Sequence, residues 1–337
     1  MRKFRLFLGL CVAIALAPGT FVRTPKPPRD VTSPVAVSPL PIPEGGTVGS
    51  FAIDGLRELS SGNDRFGGYS ALTFLPDGRL IAGSDAGNIL VFTPPEPGAS
   101  ALIEAAQIGQ FAPGPEQDKR DVDLEALTRD PDTGTIWAAY EQTNTIERYD
   151  PDLKRTGRIA PEALSDWNFN SGPETLLRLP DGRFLAIAEG GSGWLFGLLG
   201  DVTAHRAAVF AGDPLKEPET RETVFRSPPE YRPVDAAMLT EDHVLILLRD
   251  FVPALPPRFR SALLVASLDN IDRSGEWSGA VLARIEPPLP SENFEGLATR
   301  RDADGSVIVW LIADDNFSAN QRTLLYKLRL SARQLPK

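Results

Sequence analysis

From Val48 onward the apolar residues fall in short β-branched or aromatic runs closed by turn signals, and strong helix signals are absent. The commonest turn is Asp-Gly, a pair suited to tight hairpins because both residues tolerate positive φ. Two hairpins are nearly identical: residues 71–82 read ALTFLPDGRLIA and residues 175–186 read TLLRLPDGRFLA. A third, 126–138, has a turn longer by one residue; a fourth, 236–247, has lost the glycine; a fifth, 296–310, has a longer turn again. Five hairpins at intervals of about 50 to 60 residues define a repeat. Each period has room for four short strands, which makes it a propeller blade and not a solenoid coil. The expected fold is all-β, a β-propeller of five to six blades, with Val48 to Ser60 available to close the ring.

The repeat also places chemistry. Aligned hairpins begin at Ser70, Glu125, Glu174, Asp235 and Glu295, and end at Asp85, Glu141, Glu189, Arg249 and Asp314. In an antiparallel pair the start of one strand lies beside the end of its partner. Both sets therefore belong to the blade edge away from the turn, and inner strands line a propeller's channel. The prediction is a ring of carboxylates with one guanidinium around a single cavity. Such carboxylates raise one another's pKa, and three compensations are open. A hard cation such as Ca²⁺ takes carboxylate and amide oxygens, with Asn168, Asn170, Asn293 and Asn316 close in sequence. Arg249 can pair with a carboxylate or clamp an anion. One carboxyl can stay protonated, giving an acid and base pair. For any single acid the alternative is structural, a hydrogen bond to the backbone of the next blade.

Asp77, Asp132, Asp181 and Asp304 read as turn residues. Trp137 and Trp310 fall within strands and read as core, whereas Trp167, in a polar loop before Asn170, is a candidate for substrate contact.

The chain has 45 acidic against 35 basic residues, a net charge of −10, which disfavours nucleic acid and anionic lipid as partners. At the N-terminus, Arg2, Lys3 and Arg5 precede an apolar run from Leu6 to Ala17, too short to span a bilayer comfortably. Residues 1–23 read as a signal peptide or N-terminal anchor and imply a periplasmic or secreted protein. Residues 24–47 read as a Pro-rich linker, and residues 48–332 as one domain. The single cysteine, Cys11, lies in the apolar run, so the remainder has neither disulfides nor thiolate metal ligands. Two histidines, His205 and His243, cannot make a zinc cluster. No Gly-x-Ser-x-Gly elbow is present.

The ordered set Gly67-Gly68-x-Ser70, Ser84-Asp85, Asp123-x-Glu125, Glu141, Asn170, Glu174, Glu189-Gly190, Arg249-Asp250-Phe251, Asn293-Phe-Glu295-Gly and Asp314-Asp315-Asn316 resembles the phytase-like family. That family is also described by an esterase-like activity of phytase, and the resemblance runs over roughly residues 48 to 330. The sequence departs from the family pattern in having Pro173 before Glu174, and Ser70 and Asp235 in place of glutamate. The Arg-His-Gly signature of histidine-acid phytases is absent.

The resemblance implies an exported hydrolase of phosphate esters. With the ring it assigns Glu125, Glu174, Glu189 and Glu295 to catalysis, and Arg249, Trp167 and Asn170 to substrate. Asp85, Asp123, Glu141, Asn293 and Asp314 are assigned to a divalent metal, with Ca²⁺ the expected ion. The expected partner is a small anionic substrate. Two other readings stay open: a calcium-dependent lactonase-type propeller, and a non-catalytic binding or structural propeller.

Overall fold

Each predicted hairpin is the inner pair of a sheet. The computed structural model describes residues 30–96, 101–103, 106–111, 122–168, 172–191, 203–254, 258–273 and 275–336. The signal segment and Asn170 lie outside these. The first blade pairs Tyr69–Phe74, Leu80–Ser84, Asn88–Phe92 and Gln107–Gln110, and the second pairs Leu124–Arg129, Ile136–Tyr140, Thr145–Tyr149 and Arg155–Ile159. The third runs Pro173–Arg178, Phe184–Gly191, Ala204–Phe210 and Thr220–Arg226, with Glu276–Trp277 added in parallel outside. The fourth runs Arg232–Thr240, His243–Val252, Arg258–Ser267 and Ala280–Ile285. The inner strands neighbour one another in turn and close a five-bladed ring.

The fifth blade joins the two ends of the chain. Asn293–Arg301, Val307–Asp314 and Thr323–Leu330 come from the C-terminal side, and Phe51–Ser60 pairs with Thr323–Leu330 from the N-terminal side. The closing segment is therefore the expected one. The region read as a free linker contributes more than expected. Ala36–Pro39 adds a further strand outside Phe51–Ser60, and the buried Val35 and Val37 explain why. Backbone bonds from Val37 N to Ala101 O (2.7 Å) and from Ile103 N to Val35 O (2.9 Å) also tie this segment to the first blade. Burying two valine side chains offsets part of the freedom lost in ordering so short a strand, and the backbone bonds add to it.

The core sits between blades. Leu, Ile, Val and aromatic side chains of adjacent sheets interdigitate in five clusters. Trp310 is fully buried and Trp137 nearly so, its indole N–H donating to Asp213 at 2.9 Å. The turn assignments also hold: Asp77 and Asp181 accept from the backbone of Arg79 and Arg183, each at 3.0 Å. Among the described residues no helix is long and apolar enough to cross a membrane.

Candidate functional site

A β-bulge near the start of every inner hairpin builds the site. The pairing register skips one residue in each blade: Ser70, Glu125, Glu174, Val234 and Glu295. A bulge leaves its extra residue outside the ladder and re-aims it. In three blades that residue is glutamate. The fourth blade corrects the sequence alignment, because the skipped residue is Val234 and not Asp235. Val234 belongs to the hydrophobic core between the fourth and fifth blades. Asp235 is fully buried and accepts N–H bonds from Ala236 (2.8 Å) and, across the blade boundary, from Leu297 (2.7 Å). Its role is a lock between blades.

The ring otherwise assembles. Glu125, Glu174 and Glu295 come to one space with Glu141 and Glu189 from the second strands. Carboxylate oxygens of Asp123, Glu125 and Glu141 lie within 4.8 Å of one another. Burial, then the charges of Glu174 and Glu295, pushes the Glu125 carboxyl well above the usual range. Burial, then Glu189 and Glu141, does the same to Glu174, with Arg249 opposing. Glu141 is pushed up to about 7 by burial, Asp123 and Glu189. Asp314 is raised by burial, Glu295 and Asp85.

Arg249 neutralises the other side. Its guanidinium donates to Glu189 and Glu295, and at 3.0 Å to Asn293 Oδ1. Asn293 Nδ2 in turn donates to Glu295 (2.9 Å) and Asp314 (3.3 Å). Burial pushes Glu295 up to about 7 in spite of Arg249. With three partners already bound, Arg249 is first an internal counter-ion. The guanidinium of Arg232 stands at the same edge, 3.9 Å from the other oxygen of Glu189. A cavity of about 570 Å³ opens here, lined by Glu189, Arg232, Arg249, Phe251 and Arg260 among others.

The second-blade cluster suits a hard cation on grounds beyond its charge. Among the described residues Asn144 Oδ1, which is buried, accepts no hydrogen bond, while its Nδ2 donates to the Trp167 carbonyl at 2.9 Å. A Cβ at Gly172 would lie 2.7 Å from that oxygen and 2.9 Å from the Glu141 carbonyl, so glycine keeps a cradle of oxygens open. Carboxylate, amide and carbonyl oxygens are the donors that Ca²⁺ takes. Asp314 and Asn293, assigned to metal from the sequence, are instead hydrogen-bonded on the opposite side. Asp314 accepts from Asn316 N at 2.6 Å. Asp85 stands with Glu295 and Asp314. Beside it Gly68, at φ +68°, has no room for a Cβ against Asp85 and Phe317, which accounts for the Gly67-Gly68 motif.

Trp167 also differs from expectation. It is 5% exposed and packs in the core between the second and third blades, so it is not a ligand platform. The sequence reading missed Asn144 and Arg232. Asn144, at φ +48°, looks like an ordinary turn residue. Arg232 could have been found, since it precedes the bulge of its blade by two residues, as Asp123 and Asn293 do theirs.

Five four-stranded or larger sheets around a carboxylate-lined channel define a β-propeller with a polar central site. The chain belongs to the Phytase-like family, "Esterase-like activity of phytase", whose model matches residues 64–317. No curated protein matches the sequence. Among solved structures it is similar to hydrazine synthase of Kuenenia stuttgartiensis, at 14% identity and TM-score 0.38 over 73% of this chain. This chain spans 56% of that one. It is also similar to a chain of the nidogen/laminin complex, at 9% identity and TM-score 0.43 over 88% of this chain and 99% of that one. The PQQ domain of pyranose dehydrogenase from Coprinopsis cinerea is similar at 12% identity and TM-score 0.42, over 91% of this chain and all of that domain (100%). Such likenesses say nothing of activity.

Proposed function

We propose that this protein is an exported, divalent-metal-dependent hydrolase of a phosphate ester. The observation that carries the reading is the oxygen cradle of Asp123, Glu125, Glu141 and Asn144, with one blade between it and the cationic edge of Arg249 and Arg232. The first four residues would hold the metal, with Ca²⁺ the ion their oxygens favour. A bound divalent cation supplies Lewis acidity toward a phosphoryl oxygen. Arg232 meets the anionic ester at the cavity mouth, and Arg249 holds Glu189 and Glu295 in place. Glu174 takes the proton of the attacking water as the new P–O bond forms. That proton ends on the leaving oxygen as the ester P–O bond breaks. Membership of the phytase-like family supports the reaction class, and the basic, apolar N-terminal segment supports export.

The test is hydrolysis of p-nitrophenyl phosphate and bis(p-nitrophenyl) phosphate in millimolar CaCl₂ against excess EDTA. Turnover is expected only with metal, and Glu174→Gln and Glu295→Gln are expected to abolish it while the fold is kept. Full activity in both variants, or in EDTA, overturns the reading. Turnover of lactones in place of phosphate esters, with Arg232→Ala tolerated, favours the lactonase alternative.

A further inference from the structure

The far mouth of the channel, on the side of the hairpin turns, has the opposite character. A cavity of about 410 Å³ lies there, lined by the ends of all five inner strands. The register puts Phe74, Arg129, Arg178, Met238 and Arg301 at equivalent places, opposite the first residue or two of each second strand. With Arg300, the lining carries four guanidinium groups, and Glu241 is its single carboxylate among the described residues.

Other arginines on this side are paired. Arg79 meets Asp77, Arg183 meets Asp181 and Asp272, and Arg329 meets Asp54 and Asp302. Those facing the cavity differ. Among the described residues Arg129, Arg300 and Arg301 make no side-chain hydrogen bond or ion pair, while Arg178 pairs with Asp130 at 3.4 Å and donates to the Leu179 carbonyl at 3.5 Å. The Arg300 guanidinium lies over the Phe74 ring at 5.2 Å, a contact that orients it without neutralising it. Thr128 Oγ1 accepts the Arg178 N–H at 2.9 Å and keeps its own proton to donate. Burial works against the Arg129 charge, with Asp130 opposing. Arg129 and Arg178 are part-buried and Arg300 and Arg301 exposed, and an oxyanion seated among these four guanidinium groups accepts several charge-assisted hydrogen bonds at once.

We propose that this mouth is a second binding site, specific for a phosphate-sized oxyanion and separate from the carboxylate ring. It does not depend on the hydrolase reading. The test is calorimetric titration of inorganic phosphate into the full chain in EDTA, at constant ionic strength set with chloride. Saturable binding is expected in the wild type and in Asp123→Asn/Glu125→Gln. Arg129→Gln/Arg300→Gln is expected to weaken it by about tenfold or more, the value of one lost hydrogen bond to a charged group. Because Arg129 is partly buried, the exposed Arg301→Gln is the second variant, with a smaller loss expected and an unchanged thermal midpoint. The proposal is overturned by absence of saturable binding in the wild type, or by unchanged affinity in both arginine variants. Loss of binding in Asp123→Asn/Glu125→Gln also overturns it, since that places phosphate at the other mouth.

Discussion

The second and fourth blades use the same backbone to opposite ends. At the channel edge the second blade presents Asp123, Glu125 and Glu141, and the fourth presents Arg232, Val234 and Arg249 at the same three register positions. One is a concentration of negative charge that gains from a cation; the other brings the cations itself. The bulge and the strand pairing are shared, so the propeller supplies addresses and the residue types decide what each address does. Between these two edges Glu174 and Glu295 answer to both, raised by burial and acidic neighbours and lowered by Arg249.

The comparison breaks most sharply on the cationic side. Arg249→Met leaves Glu189 and Glu295 without their counter-ion, and an expected loss of about 3 kcal/mol in urea unfolding at neutral pH follows from breaking a buried pair. A loss under about 1 kcal/mol, the scale of a surface pair, means that solvent or Arg232 already does the work.

On the acidic side, calcium at a hundredfold excess over its Kd is expected to stabilise the folded chain by about 2.7 kcal/mol. Glu125→Gln abolishes that gain and, in EDTA, raises the thermal midpoint slightly, because a neutral amide avoids the cost of keeping that carboxyl protonated beside Glu174 and Glu295. Lowered stability of the variant in EDTA contradicts the idea of mutual repulsion within the cluster.

Asp235 sharpens the contrast between ring and lock. Asp235→Ala orphans the Leu297 and Ala236 N–H groups and is expected to cost about 2 kcal/mol, with calcium stabilisation intact. Loss of the calcium effect in this variant returns Asp235 to the ring.

A further effect is in pH. Glu141 and Glu295 have folded-state pKa values raised from 4.5 to about 7. Between these values the folded chain retains protons that the unfolded chain has released. Without metal, their contribution is fully present below pH 4.5 and is lost as pH rises through about 7. Denaturant midpoints in EDTA should fall across that window, and millimolar calcium should flatten or reverse the slope. A rise in EDTA places both carboxylates in pairs stronger than those described.

Local pattern sufficed for much of this molecule. Strand runs, Asp-Gly turns and their spacing made the blades legible, and the carboxylate positions followed because hairpin geometry carries a repeat in sequence into a ring in space. The same logic misplaced Asp235 by one residue, since a bulge shifts register without leaving a mark in composition. It also placed Trp167 at the site, because a polar loop gives no sign that its one indole turns inward to fill a gap between sheets.

Closure, charge balance and division of labour depended on contacts between distant segments. The backbone ladder fixes where a side chain starts, and that much is written in turn chemistry and period-two hydrophobicity. Which carboxylates share Arg249, and which stand with Asn144 as an open oxygen cradle, depends on inter-blade distances of a few ångströms. Those distances are set by core packing across five sheets, and no single segment of sequence encodes them.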